Sequence, residues 1–276
     1  MAAADTVSST KEVFIKKLNL NKIPPYARPS TWSETGGATY LIVGPSGSGK
    51  TRIIENIIFN KREFIPITIA ISESESFNKQ FEKIISPLFI YESKSNELLT
   101  NINNRQLIAK DNIFNPWMCV IFDDCMNQQK NFNSDLEIEL FKTSRHKFQV
   151  NLISCQYSID LSPALRTNCA GYFIMRHDNL DNRKKIYQMF AGCIPDFNLF
   201  TQIMDECTNN YGCVFIDNRS TSQNWQDKIF WFRASDLQQL YPGWKACSLD
   251  VQKFAQDRYD TTYDPIKKLL QRSNIY

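Results

Sequence analysis

The chain has 276 residues, 42% hydrophobic and 22% charged, which is the composition of a soluble globular protein with one large domain or a domain plus an appendage. No apolar run approaches the roughly eighteen residues of a membrane span, and a net charge of +3 permits a nucleic-acid partner without requiring one. The eight cysteines form no C-x-x-C pair and no signal peptide is present, so reduced thiols are expected; His146 and His177 have no cysteine at ligand spacing, which argues against zinc.

In chain order, Met1–Thr10 is small, polar and expected to be disordered. Val13–Leu20 predicts one or two helical turns. Ile23–Trp32 carries three prolines and should be extended, either clamping the domain surface or reaching a neighbouring subunit. Tyr40–Val43 is an apolar strand, followed by GPSGSGKT and then by Ile53, Ile54, Ile57 and Ile58 at helical spacing. Ile65–Ile71 reads as a buried parallel strand, Ser72–Ser76 as a loop, Phe77–Ile85 as a helix and Leu88–Tyr91 as a short strand. Ser95–Lys110 predicts a solvated outer helix, Trp117–Phe122 a strand, Asp135–Thr143 a helix, and Val150–Cys155 and Gly171–Met175 two further strands. Helices are expected over Asp181–Phe190 and Phe197–Thr208, a hairpin over Cys213–Asp217 and Lys228–Phe232, and peripheral helices over Ser248–Gln256 and Ile266–Ser273. Strands alternating with helices give the fold class: α/β, with a mainly parallel sheet covered by helices on both faces, a late β-hairpin and peripheral helices.

Gly44-x-x-x-x-Gly49-Lys50-Thr51 is the full phosphate-loop pattern, in the strand–loop–helix setting that the pattern requires. Gly44, Pro45, Ser46, Gly47, Ser48 and Gly49 would wrap backbone amides around the phosphates of a bound nucleotide, and the helix amino terminus would add its dipole. Lys50 would reach the β- and γ-phosphates, Thr51 would ligate magnesium, and Arg52 closes the nucleotide-contacting set. About seventy residues on, VIFDDC ends a strand in two carboxylates. Asp123 is read as the magnesium residue and Asp124 as the group that orients or deprotonates the attacking water. Gln156 ends the next strand and is read as a γ-phosphate or water sensor. Arg145 and Arg166 are candidates for an arginine that a neighbouring subunit would supply to the transition state.

GPSGSGKT, IAISES with ISPLFIYES, VIFDDCMN, TSRHKFQVNLISCQY and LSPALRTNCAGYFIM, in this order, resemble the poxvirus-type DNA-packaging ATPases of large DNA viruses and virophages, within the FtsK–HerA superfamily. The resemblance covers about Gly37–Met175 and extends to the hairpin. It implies an ATP- and magnesium-dependent ATPase that assembles as a homo-oligomeric ring and moves double-stranded DNA, without sequence preference, into a capsid. It implies a capsid or portal partner, and a place at the viral assembly site in the host cytoplasm or in the virion. Many relatives have Asp-Glu where this chain has Asp123-Asp124. The organisation expected is an arm over 1–36, a P-loop ATPase domain over 37–234 and a helical tail over 235–276. The alternatives are another P-loop DNA-remodelling ATPase or helicase, and a nucleotide-gated scaffold that does not hydrolyse.

Overall fold

The computed structural model describes residues 14–26, 36–125, 134–156 and 162–259. Among them, nine strands form one sheet: β1 (Lys16–Lys17), β2 (Ala38–Val43), β3 (Ile67–Ser72), β4 (Ile90–Tyr91), β5 (Met118–Asp123), β6 (Gln149–Cys155), β7 (Gly171–Met175), β8 (Gly212–Asp217) and β9 (Ile229–Arg233). Their order across the sheet is β1-β9-β8-β7-β2-β6-β5-β3-β4. Strand β8 alone runs against the rest, pairing antiparallel with β7 and β9, while every other pairing is parallel. A parallel sheet needs cover on both sides, and strand residues here alternate between two apolar layers.

One layer joins Leu41, Val43, Val120, Phe122 and Ile153 to α3 (Asn96–Asn112), α4 (Asp135–Thr143), α5 (Pro163–Asn168), α6 (Leu180–Phe190) and α7 (Phe197–Cys207). The other joins Tyr40, Ile42, Ile121 and Leu152 to α1 (Lys50–Lys61), whose Ile53, Ile54, Ile57 and Ile58 are all buried. Each of those isoleucines contributes roughly 1.5–3 kcal/mol on burial, so α1 is anchored along its length. Chain beyond residue 234 closes over the same helix. Ser235 exchanges two hydrogen bonds with the Asn56 amide, and Trp244 packs edge-on against Phe59 with ring centroids 5.2 Å apart.

Two local expectations are corrected, and one element is added. Val13–Leu20 does not form helical turns over its described residues: Lys16–Lys17 is a strand, and a 3-10 turn follows at Leu20–Lys22. The free edge of β9 decides this, because it offers the segment a parallel ladder that continues through Leu18 N donating to Trp231 O at 2.8 Å. Phe77–Ile85 is not one helix but a short α2 (Glu75–Asn78) and a 3-10 turn at Phe81–Lys83. The Glu75 carboxylate accepts from the amides of Phe81 (3.1 Å) and Glu82 (2.7 Å), starting a new turn and leaving Lys79 left-handed at φ 46°. α5 has no counterpart among the expected elements, although Ser162-Pro163 is a start signal, with the serine capping Leu165 N and the proline at the first helical position. Of the proline-rich stretch, only Ile23–Tyr26 lies within the described residues; the expectations for Met1–Thr10 and Ile266–Ser273 lie outside them.

Lys61, the last residue of α1, is buried, and its ammonium donates to the Pro25 carbonyl at 3.1 Å. Desolvation holds its pKa down to about 8, from 10.5 when exposed. Between those values the folded protein carries fewer protons than the unfolded chain, so this group makes stability rise with pH across that window. Lys61→Met is therefore expected to raise the urea midpoint at pH 7 and to flatten the rise from pH 8 to 10. A variant with the wild-type pH profile would count against this account.

Candidate nucleotide-binding site

The carboxyl ends of neighbouring parallel strands converge on the loop after β2. The β2–β6 ladder runs one step past its last pair, Val43 with Cys155, because Gly44 N donates to Cys155 O at 3.1 Å. This sets the first residue of the loop beside the residue that precedes Gln156. Gly44 must be glycine, since a Cβ there would lie 2.5 Å from Met175 Cβ on β7. Pro45, Ser46 and Gly47 form the exposed crest, and Ser48 N donates back to Pro45 O at 3.3 Å. Gly49 starts α1 in the left-handed region, at φ 96°, and provides no side-chain cap, so the first-turn amides of α1 are not consumed by one. The Ser48 hydroxyl oxygen is buried without a hydrogen-bond partner, a polar atom that phosphate oxygens would satisfy.

Lys50 is buried and spans the loop from within, its Nζ donating to Gly44 O (2.9 Å) and Pro45 O (3.1 Å). Thr51 follows on the first turn of α1. Arg52 points sideways, its guanidinium 3.2 Å from the Glu55 carboxylate and 3.4 Å from that of Asp236.

Asp123 ends β5 and is buried, with Oδ1 accepting from Ser154 Oγ at 2.6 Å and Oδ2 from Ser72 Oγ at 3.4 Å. Burial pushes its pKa up and the charge of Asp124 adds to this; the hydrogen bonds from Ser154 and Ser72 and the Lys50 ammonium oppose it. Asp124 leaves the strand in left-handed backbone, φ 51°, a conformation that aspartate tolerates better than most residues. Its amide donates to Ser154 Oγ at 3.2 Å, and its Oδ1 accepts from Gln156 Nε2 at 3.2 Å. One serine hydroxyl thus serves both carboxylate residues, and the glutamine just past the end of β6 touches the second.

Ser72 and Ser154 were not among the residues singled out from the sequence. Ser154 had a usable signal, since it shares a strand face with Gln156 by the two-residue period. Ser72 had none, because its role follows from facing Asp123 in the β3–β5 register.

Arg145 and Arg166 are not brought to this loop. Arg145 lies in the 3-10 turn Ser144–His146, just ahead of β6, where its carbonyl accepts from Gly37 N at 3.2 Å. Arg166 lies on α5, ahead of β7, where its carbonyl accepts from the Tyr172 hydroxyl at 2.7 Å. Both precede parallel strands whose far ends carry the loop, so they lie towards the opposite edge of the sheet.

A phosphate loop at the carboxyl edge of a mainly parallel sheet, with two carboxylates and a glutamine on the neighbouring strand ends, defines a P-loop NTPase fold, the fold the FtsK–HerA resemblance implied. The genome-packaging NTPase B204 of Sulfolobus turreted icosahedral virus 2, in complex with ATP-gammaS, shares this fold with a TM-score of 0.50, 16% identity, and coverage of 71% of this chain and 96% of that one. No protein-family model matches the chain. Protein 088R of Invertebrate iridescent virus 3 is 37% identical over 80% of this chain and 84% of its own length, and protein 075L of Invertebrate iridescent virus 6 is 32% identical over 93% and 99%. The chain belongs to this family of viral proteins. No helix among the described residues is long and apolar enough to cross a membrane.

Proposed function

We propose that the chain is a magnesium-dependent ATPase that assembles as a ring and drives double-stranded viral DNA into a capsid at the assembly site. The observation that carries the hydrolytic part is the hydrogen-bonded set Asp123, Ser154, Asp124 and Gln156 on adjoining strand ends, beside a glycine loop that Lys50 braces from within. The motor part is supported by the fold shared with a viral genome-packaging NTPase and by the viral origin of the relatives.

Thr51 and Asp123 offer hard oxygen donors, the kind magnesium takes, and a carboxylate already desolvated at Asp123 suits a cation partner. When bound, magnesium supplies charge neutralisation at the β- and γ-phosphate oxygens. The loop amides and Lys50 bind and orient the triphosphate. Asp124, steadied by Gln156, orients the attacking water and accepts its proton, and Gln156 reports whether the γ-phosphate is present by its choice of hydrogen-bond partner. Arg145 or Arg166, remote from the loop of their own subunit, would reach the loop of the next one, which makes the ring part of the chemistry. DNA contact would be to phosphates, so it would weaken steeply with salt and ignore sequence.

The test is the ATPase rate with and without linear double-stranded DNA across a protein dilution series. Expected is a rate that DNA raises and dilution collapses, because the sites are shared. A rate indifferent to both would refute the motor.

A further inference from the structure

Beside the phosphate loop, on the side away from the two carboxylates, lies a recess of about 410 Å³ whose lining reaches beyond the loop to residues given no role above. Gly47, Gly49 and Arg52 line it from the loop and α1, and Tyr211, Arg233 and Asp236 from the later part of the chain. The triphosphate end of a nucleotide is constrained by the rest of the site: its γ-phosphate belongs near Asp123 and Gln156, on the β6 and β5 side of β2. The nucleoside must then leave the loop towards β7, β8 and β9, where this recess opens.

Tyr211 is built in an unusual way. It is a large aromatic side chain, 71% exposed, in the turn just before β8. Asn210 and Tyr211 are both left-handed, at φ 50° and 60°. For a tyrosine that backbone is a genuine outlier, of a kind that persists only where the surroundings hold it. Here they do: the Arg233 guanidinium donates to Asn209 O at 3.2 Å, and Arg176 reaches the Asn209 side chain at 3.2 Å, pinning the turn from β9 and from the end of β7. The result brings the ring over Gly49, with Cδ1 3.6 Å from where a Cβ would be. The ring is held against Gly49 while most of its surface stays open, which leaves a face free for a planar ligand.

We propose that Tyr211 is the stacking platform for the base of the bound nucleoside triphosphate, with the Arg52–Asp236 pair closing the recess beside it. The proposal rests on the phosphate-loop reading above and names the group that recognises the other end of the same ligand. A face-on aromatic contact grips any purine, so it supplies affinity with little choice between adenine and guanine.

The experiment is equilibrium titration of the wild-type protein, Tyr211→Ala and Tyr211→Trp with ATP and, separately, with inorganic tripolyphosphate, all with magnesium. Tyr211→Ala is expected to weaken ATP about tenfold or more and to leave tripolyphosphate unchanged. Tyr211→Trp should restore ATP affinity, with its indole emission quenched on binding. Unchanged ATP affinity in Tyr211→Ala, or an equal loss for both ligands, overturns the platform while the loop stands. A wild-type protein that binds neither ligand overturns the loop reading and the platform with it.

Discussion

Lys50→Ala is expected to abolish measurable ATP turnover, a loss of at least about 10²–10³-fold, and to weaken ATP binding in the same protein. The Lys50 ammonium is buried at the mouth of α1 and already bridges two loop carbonyls, Gly44 O and Pro45 O. A positive charge held within the loop lies beside the place where charge develops on the transferred phosphoryl group, and its ammonium needs only to exchange loop carbonyls for phosphate oxygens, which is why its removal costs more than a surface lysine would. Alanine removes both the charge and the two hydrogen bonds that brace the loop. Steady-state ATPase and direct ATP titration measure the two effects; turnover within a few-fold of wild type would remove Lys50 from the mechanism.

The second large effect is expected from Asp124→Asn, which should lower turnover by roughly 10²–10⁴-fold while ATP remains bound. Asparagine keeps an oxygen in place to accept from Gln156 Nε2, so the 3.2 Å contact and the strand-end geometry are preserved. What is lost is the negative charge that takes a proton from water. The variant should accumulate bound ATP in a filter-binding or rapid-quench assay. Hydrolysis at the wild-type rate would show that Asp124 is not the base.

Much of the site was legible because its parts are contiguous. GPSGSGKT carries its own turn residues, and the helix after it shows its buried isoleucines at helical spacing. The strands ending in Asp123 and Gln156 are short apolar runs with polar ends, and β5 and β6 formed within one or two residues of their expected bounds. Where the expectation failed, a distant partner intervened. Lys16–Lys17 became a strand because the edge of β9, more than two hundred residues later, was free to pair. The segment after Ser72 broke into two turns because one side chain, Glu75, capped the second.

By itself, then, the chain's order of residues determined the elements that rest on local chemistry: the phosphate loop, the helix it starts, the carboxylate pair at a strand end, and a parallel sheet that must be covered twice. Only the tertiary structure decided which strand ends are neighbours. The insertion of β6 between β2 and β5 puts Gln156 against Asp124 and lets Ser154 serve both aspartates. The same pairing carries Arg145 and Arg166 to the opposite edge, and a left-handed turn before β8 brings Tyr211 over Gly49. The physical reason is that strand pairing is bought by backbone hydrogen bonds and layer packing, which are nearly blind to sequence separation, so a local pattern names a strand without naming its neighbour.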